Sequence, residues 1–267
     1  MRDIEELAAL VQRAGRAVAF TGAGISTACG IPDFRSPGGF WTQYKPIEFG
    51  EFMGSEAARL EAWQRFLAIR DRFGGVAPGR GHAAVAHLVR RGHVSCVITQ
   101  NIDGLHASSG VPAERIIEIH GNGTYARCLA CERRHELEWA RAAIAATAAA
   151  PLCEACGGIV KPATISFGQP MPEQAMAEAR AATLDADLFL AIGSSLQVFP
   201  AAGLPVLAAH NRTPLAIVNR EPTGLDGLAT LVINGEIGDV LSAVAGLAAE
   251  TESTARENRK SRGRRPA

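Results

Sequence analysis

Short apolar runs rich in β-branched residues recur along the chain and predict buried strands. Helical patterns separate many of them, for example His82–Arg91 and Met176–Ala182. Alternating strands and helices predict an α/β fold with a doubly wound, mostly parallel sheet, since a sheet covered on both faces has nearly continuous apolar strands. The predicted strands are Arg16–Thr21, Val94–Thr99, Arg115–Ile119, Leu188–Ile192, Leu215–Val218 and Thr230–Ile233.

Polar or glycine-rich motifs follow five of these strands at the point where each strand ends. In open parallel sheets, ligands bind outside the carboxyl ends of the strands. The motifs therefore predict one shared binding site at that edge. They are Gly22-Ala23-Gly24-Ile25-Ser26, Gln100-Asn101-Ile102-Asp103, His120-Gly121, Gly193-Ser194-Ser195 and Asn219.

The first motif has part of the pattern of a dinucleotide-binding loop. Gly22 and Gly24 suit a tight turn that brings backbone N–H groups close to a phosphate. The third glycine of the full fingerprint is replaced by Thr27, however, and no strand-ending acid follows about 20 residues later. These departures disfavour a hydride-transfer enzyme.

Four cysteines form two pairs with the spacing of a zinc site. Cys128 and Cys131 are separated by two residues, as are Cys153 and Cys156. Four thiolates leave no open coordination position, so we expect one structural Zn²⁺ and not a catalytic one. Two disulfides are the alternative, which the lack of a secretion signal argues against. The alanine-rich stretch 140–150 between the pairs can form a helix over the site.

Composition and charge exclude some classes of protein. The chain has 267 residues, 27 basic and 27 acidic, and is 47% hydrophobic. The apolar fraction excludes a wholly disordered protein, and the balanced charge gives no overall case for binding nucleic acid. Basic residues gather in the tail 251–267, which we expect to be disordered. This tail is either a solubilising end or a contact for nucleic acid or an acidic partner.

No secretory or membrane-spanning segment is expected from the sequence. Acidic residues occupy the start, Met1–Leu7, where a signal peptide carries basic ones. The stretch Leu188–Ala209 has no charged residue, but glycines and prolines interrupt it, so we predict a buried strand followed by a loop and a helix. We therefore expect a soluble, cytoplasmic protein with no membrane partner.

The zinc module interrupts the series of strands and so predicts an inserted lobe. It lies between Ile119 and Leu188, and a second long interruption, Pro37–Arg80, lies between the first two strands. We expect a ligand cleft between this lobe and the sheet domain. The predicted division is a Rossmann-like domain of residues 1–38, 80–122 and 168–250, a small lobe of residues 39–79 and 123–167, and the tail 251–267.

These motifs, in this order, resemble those of the sirtuins, the NAD-dependent protein deacylases. The resemblance covers about Val18–Val240. Its further motifs are Gly30-Ile31-Pro32-Asp33-Phe34-Arg35-Ser36, Thr99 before Gln100, Gly104-Leu105-His106 after Asp103, Lys161-Pro162, Phe167-Gly168, Leu196 after Ser195, and Val218 before Asn219.

The resemblance implies an activity and a catalytic pair. The family removes acyl groups from lysine and consumes NAD, which gives nicotinamide, O-acyl-ADP-ribose and free lysine. His120 would be the general base acting on the ribose hydroxyls, a role that suits an imidazole with a pKa near neutrality. Asn101 would hold the ribose together with Asp103. The NAD-binding residues so implied are Gly22, Ala23, Gly24, Ser26, Asp33, Phe34, Arg35, Gln100, Asn101, Ile102, Asp103, Gly193, Ser194, Ser195, Asn219 and Ile237.

The resemblance also implies a groove for acyl-lysine peptides and an acyl pocket. Ile165, Phe167 and Gly168 would line the groove, where a peptide adds as a strand. Sirtuins that prefer succinyl-lysine carry a Tyr and an Arg at places that fall on Phe66 and Ile69 when the chains are aligned on Trp63. The pocket is therefore expected to be apolar and to favour uncharged acyl groups. A shift of the alignment by one residue would place Arg70 there instead.

Two other functions stay open at this point. A mono-ADP-ribosyltransferase would transfer the ribose to a protein nucleophile, although an intact His120 favours deacylation. A non-catalytic module that binds NAD, or interacts through its zinc ribbon, is disfavoured by the presence of both His120 and Asn101.

Overall fold

The computed structural model describes residues 1–33 and 45–247. Phe34, Arg35 and the basic tail 251–267 lie outside the described residues. The helices are α1 Arg2–Arg13, α2 Gly24–Thr27, α3 Phe49–Gly54, α4 Glu56–Phe73, α5 Arg80–Arg90, α6 Leu105–Ser108, α7 Leu137–Thr147, α8 Glu173–Asp185, α9 Gly203–His210 and α10 Ile237–Val244, with short 3₁₀ turns at Ala113–Arg115 and Asp226–Leu228. The strands are β1 Ala17–Thr21, β2 Val94–Thr99, β3 Ile116–Glu118, β4 Gly121–Cys128, β5 Arg134–His135, β6 Val160–Thr164, β7 Leu188–Ile192, β8 Leu215–Asn219 and β9 Leu231–Asn234.

The large sheet is parallel and has the order β3-β2-β1-β7-β8-β9. The chain therefore builds outward from β1 on one side and from β7 on the other, which makes the junction of these two strands the topological switch point. Thr21 pairs with both Thr99 and Ile192, so the carboxyl ends of the central strands are level. The predicted α/β fold with a doubly wound parallel sheet is confirmed.

Two apolar layers cover the large sheet, one on each face. All five residues of β1 are buried. Ala17 and Ala19 pack in the layer that contains α1, α5 and α10, whereas Val18 and Phe20 pack in the opposite layer with α8 and α9. This alternation follows from the two-residue period of a strand. The sheet is held rigid on both sides, so its carboxyl edge is a fixed platform for a site.

The small lobe joins two separate segments of the chain around one core. Its antiparallel sheet has the order β5-β4-β6, and α3, α4 and α7 pack around it. Trp63 on α4 is fully buried and donates its indole N–H to the carbonyl of Val160 on β6, at 3.0 Å. The two segments are also joined by a bidentate pair between Arg141 on α7 and Asp71 on α4. The domain boundaries expected from the sequence stay a prediction.

The charge-free stretch near the C-terminal half folds as predicted. It forms β7, a loop and then α9. Among residues 1–33 and 45–247, no helix combines the length and the apolar character that crossing a bilayer requires.

Candidate active site

A polar cleft of about 640 Å³ opens at the carboxyl edge of the large sheet. The loops that follow β1, β2, β7, β8 and β9 form its walls, as expected for a site at a topological switch point. Of the residues predicted to bind NAD, those that line this cleft are Gly22, Ala23, Gly24, Asp33, Gln100, Asn101, Gly193, Ser194, Ser195, Asn219 and Ile237.

Two glycines allow the loops after β1 and β7 to approach each other closely. A Cβ atom on Gly22 would lie 2.7 Å from the carbonyl oxygen of Gly193, and one on Gly24 would lie 2.8 Å from the same oxygen. The N–H of Gly24 donates to that carbonyl at 2.8 Å, and the N–H of Gly22 donates to Ile192 at 3.0 Å. These two N–H groups are therefore committed to protein carbonyls, and the glycines shape the cleft floor instead of donating to a phosphate.

A hydrogen-bonded network fixes the side chains that follow β2. The Asn101 amide donates to the carbonyl of Gly22 at 3.1 Å and to the Ser26 hydroxyl at 3.2 Å. Ser26 donates in turn to Asp103 at 2.7 Å. Asp103 also accepts the backbone N–H of Leu105 at 2.9 Å, so its two oxygens are both held. The network leaves each polar group in one orientation.

Sequence analysis missed the two histidines beneath this network, His82 and His106. His82 Nδ1 accepts the N–H of Gly79 at 3.3 Å, so its Nε2–H is the donor that faces the Ser26 hydroxyl at 3.4 Å. Burial lowers the pKa of His82, and it lowers that of His106 to about 3. Both rings are therefore neutral and serve as fixed supports. In the sequence, His106 only follows Gly104-Leu105 at the end of a motif, and His82 lies in an ordinary helical pattern, so neither carries a signal of this role.

His120 lies between β3 and β4 and has a defined tautomer. Its Nδ1 lies 3.0 Å from the carbonyl oxygen of Gln100, which can only accept a hydrogen bond, so Nδ1 carries the proton. Nε2 then carries the lone pair. Burial lowers the pKa of His120, and the hydrogen bond to Gln100 opposes that shift without cancelling it. The ring is therefore a neutral base at pH 7.

A second, mainly apolar cavity of about 510 Å³ lies between the small lobe and the sheet domain. Ser26, Ile102 and Asp103 line this cavity and not the polar cleft. The two spaces share one set of walls, so His120 is accessible from both. The shared residues are Ala23, Gln100, Asn101, His120 and Val198.

The residues predicted to bind substrate all line the apolar cavity. Phe66 and Ile69 contribute from α4, and Arg70 lines the same space. Ile165, Phe167 and Gly168 contribute from the segment after β6.

That segment is anchored at two points. The N–H of Ile165 donates to the backbone carbonyl of His120 at 2.9 Å, and the N–H of Phe49 donates to the carbonyl of Phe167 at 2.8 Å. This segment, residues 165–168, is the groove segment. It is thus attached to His120 on one side and to α3 on the other. Lys161 also lines this cavity, and no role was predicted for it.

The four paired cysteines converge in the small lobe as free thiols. Their Sγ atoms lie within 4.8 Å of one another, with separations of 3.5 Å for Cys128 and Cys156 and 3.7 Å for Cys131 and Cys153. Sulfur ligands at about 2.3 Å from a tetrahedral Zn²⁺ lie about 3.8 Å apart. A Cβ atom on Gly158 would lie 3.0 Å from the Cys128 sulfur, so the cluster is closely wrapped. The donor set fits zinc.

Comparisons with known proteins agree with this geometry. The model of the Sir2 family matches residues 22–200. The chain is 51% identical over 243 residues to an NAD-dependent protein deacetylase of Rhodopseudomonas palustris, covering 91% of this chain and 96% of that protein. It is 40% identical over 232 residues to one of Thermodesulfovibrio yellowstonii, covering 87% and 90%.

Solved structures are similar over almost the whole length. One, described as Sir2 with a p53 peptide and NAD⁺, superposes with a TM-score of 0.82 at 32% identity and covers 91% of this chain and 97% of that chain. Another, Sir2Tm bound to a propionylated peptide, gives a TM-score of 0.79 at 31% identity, with the same coverage.

Proposed function

The chain belongs to the Sir2 family, and we propose that it is an NAD-dependent protein deacetylase whose chemistry takes place at His120. The observation that carries this proposal is the position of His120 on the wall shared by the polar cleft and the apolar cavity. A co-substrate in the cleft and an acyl-lysine in the cavity can reach the same ring from two sides. With water as the third reactant, the products are nicotinamide, O-acyl-ADP-ribose and free lysine.

His120 acts as the general base. NAD loses nicotinamide and supplies the ADP-ribosyl group, which then bonds to the acyl oxygen. The Nε2 lone pair of His120 takes a proton from a ribose hydroxyl, because Nδ1–H is held by the Gln100 carbonyl. The lowered pKa keeps the ring in the basic form at neutral pH. The carbonyl of Gln100 also stabilises the imidazolium that forms when Nε2 is protonated.

Asn101, on the wall that the two spaces share, and Asp103, on the cavity side of that wall, orient the nicotinamide end of the co-substrate, which reaches the wall from the cleft. Both are held by Ser26, which donates to Asp103 and accepts from Asn101. Such fixed dipoles need no rearrangement during the reaction. Asp33 lines the cleft nearby, and Phe34 and Arg35, which lie outside the described residues, stay predictions for the same loop.

The far end of the cleft binds the adenosine. A dinucleotide whose reacting ribose lies at His120 must extend along the carboxyl edge toward β8 and β9. Asn219 and Ile237 line that end of the cleft. Ser194 and Ser195 lie between the two ends, and Ser194 is held by the Gln100 side chain at 2.9 Å. These residues therefore form the pyrophosphate and ribose walls.

The apolar cavity binds the acyl-lysine side chain, and the groove segment binds the peptide backbone. Relatives solved with a p53 peptide and with a propionylated peptide support peptide binding in this fold. Phe66 and Ile69 give the acyl end an apolar wall that favours acetyl and longer uncharged groups. Because Arg70 lines the same cavity, succinyl-lysine is the substrate that tests this preference.

The four cysteines hold one structural zinc ion. Replacement of Cys128 by Ser should remove the metal and unfold the small lobe, because metal binding contributes directly to folding. Metal content and thermal unfolding measure this, with Cys96→Ser as the control, since Cys96 lies in β2 outside the cluster. A folded Cys128→Ser protein with one equivalent of zinc would contradict the assignment.

The deciding experiment follows acyl loss and nicotinamide release together, by mass spectrometry, on one peptide carrying acetyl-, octanoyl- or succinyl-lysine. Equal acyl loss and nicotinamide release on the uncharged groups is the expected result. Strong desuccinylation would keep the reaction but overturn the apolar-pocket assignment. Nicotinamide release together with transfer of a label from the ADP-ribosyl group of NAD to protein would indicate ADP-ribosyl transfer. The absence of both acyl loss and nicotinamide release would indicate a binding module.

The cellular setting stays a prediction. The expectations of a cytoplasmic location, of no membrane partner and of little affinity for nucleic acid rest on the sequence alone. Comparing the affinity of the full chain and of a chain ending at residue 247 for a DNA duplex tests the last of these.

A further inference from the structure

Lys161 is a buried cation that the reaction described above does not use. It is 3% exposed on β6, and it lines the apolar cavity. No carboxylate among residues 1–33 and 45–247 lies within ion-pair distance of its ammonium group. Burial lowers the pKa of Lys161 to about 8. An ammonium without a counter-ion is costly to bury, so a specific role is expected.

The ammonium group makes its contacts with backbone carbonyls of its own strand. It donates to the carbonyl of Thr164 and, at 3.4 Å, to that of Pro162. The ring of Phe52 on α3 lies 6.0 Å from the ammonium nitrogen. Lys161 therefore connects the end of β6 to the helix whose first residue, Phe49, also holds the groove segment at Phe167.

The carbonyl of Thr164 belongs to the same peptide group as the N–H of Ile165. That N–H donates to the backbone carbonyl of His120 at 2.9 Å. Lys161 and His120 thus hold opposite ends of one peptide plane. A charged donor on the carbonyl also polarises the peptide group and strengthens the hydrogen bond made by its N–H.

We propose that Lys161 is a positioning residue that orients the Thr164–Ile165 peptide plane and so holds the peptide groove in register with His120. This inference rests on the proposed function, since it assigns the groove to the acyl-lysine peptide. Lys161 does not line the polar cleft, and its ammonium group donates to the backbone carbonyls of Thr164 and Pro162. Its loss should therefore weaken peptide binding while the bond-breaking steps and the NAD site are retained.

The test replaces Lys161 by Met, which keeps the length of the side chain and removes the donor. We expect the KM for an acetyl-lysine peptide to rise about tenfold, with kcat and the KM for NAD changed less than about threefold. The matched control is Thr183→Val. Thr183 is also fully buried and donates to a carbonyl, that of Ala179 at 2.7 Å, but it lies on α8 away from the groove.

A second measurement is independent of activity. Hydrogen exchange at the Ile165 amide should accelerate about tenfold in Lys161→Met, because the hydrogen bond that this amide donates to the carbonyl of His120 is weakened. The amide of Gly157, which donates to Cys153 in the zinc loops, should not change. Deacetylation by the unmodified protein tests the proposed function separately, so a failure of either idea can be recognised.

A peptide KM that stays within twofold in folded Lys161→Met, with unchanged exchange at Ile165, would overturn the proposal. So would an equal rise in KM in Thr183→Val, because general loss of stability would then explain both. If Lys161→Met does not fold, Lys161→Gln keeps a shorter, neutral donor and should raise the peptide KM about threefold. A normal peptide KM in Lys161→Gln would then reject the role of the charge.

Discussion

The polar cleft and the apolar cavity share His120 but are held together in different ways. In the cleft, directional hydrogen bonds fix the positions, as when Asn101 donates to both Gly22 and Ser26. In the cavity, side chains such as Phe66 are held by packing, here edge-on against Trp63 with ring centroids 6.1 Å apart. A hydrogen bond weakens when its two partners are displaced, whereas apolar packing tolerates the replacement of one side chain by another of similar volume. The cleft should therefore determine the rate, and the cavity should determine which acyl group is accepted.

The largest effect is expected at His120, one of the residues on the wall that both spaces share. His120→Ala removes the base, so kcat should fall by roughly a thousandfold, at the scale of general-base catalysis, while NAD binding changes little. Single-turnover kinetics and calorimetric binding of NAD measure the two quantities. The control is His93→Ala, because His93 lies on the loop before β2 and lines neither space. Normal turnover in His120→Ala would exclude the proposed mechanism.

A loop substitution in the cleft should have the next largest effect. In Gly24→Ala the added Cβ would meet the Cα and carbonyl oxygen of Gly193 at 2.8 Å, so the two loops must separate. We expect the KM for NAD to rise about tenfold, which corresponds to about 1.4 kcal/mol. Gly203→Ala is the control, since no atom lies within 4 Å of its added Cβ. An unchanged KM for NAD in Gly24→Ala would show that the cleft is more adaptable than its hydrogen bonds imply.

The pH dependence of the activity should show a smaller, graded effect, which also arises at His120. Because the pKa of His120 is lowered below 6.5, the ring stays unprotonated as the pH falls toward that value and loses the base form only below it. The acid limb of kcat/KM should therefore lie below about pH 6.5. A profile measured from about pH 5 to 8 locates it. A limb above neutrality would assign the titration to another group.

The smallest effect is expected in the cavity. Ile69→Ala enlarges the acyl end without removing a polar contact, so kcat/KM for octanoyl-lysine relative to acetyl-lysine should rise about threefold. Ala68→Ser is the control, since Ala68 is an exposed neighbour on the same helix. Competition between the two peptides in one reaction gives the ratio directly. An unchanged ratio would place the acyl end elsewhere in the cavity.

The large sheet could be predicted from the sequence because its strands are buried on both faces. The strands Val94–Thr99 and Leu188–Ile192 have the predicted bounds. β1 and β9 each begin one residue later than predicted. The antiparallel strands of the small lobe were not predicted. β6 contains Lys161 and Pro162, which interrupt any apolar pattern. Its place is set by pairing with β4, which only the folded chain makes visible.

The site shows the same division. The ends of the strands and the cysteine spacing predicted which residues meet, because both are local patterns. The supporting contacts of Lys161 and His82 could not be predicted, since each depends on groups brought close by the fold. Gly22 and Gly24 are the instructive case. The pattern predicted a tight turn that brings backbone N–H groups close to a phosphate. It could not predict that the N–H groups of Gly22 and Gly24 donate to Ile192 and Gly193, because these acceptors are brought close only by the fold.

The construction of the small lobe from two segments has a consequence for synthesis on the ribosome. Trp63 finds the carbonyl of Val160 only 97 residues later. The central strand β1 likewise lacks one of its two neighbouring strands until β7, which begins at Leu188, has been synthesised. Because chains emerge from the N-terminus, a nascent chain of about the first half can complete neither core. Its apolar segments stay exposed until more than half of the protein has been translated. The small lobe can be completed only once β6, which ends at Thr164, has emerged, and the sheet domain only once α10, which ends at Val244, has emerged.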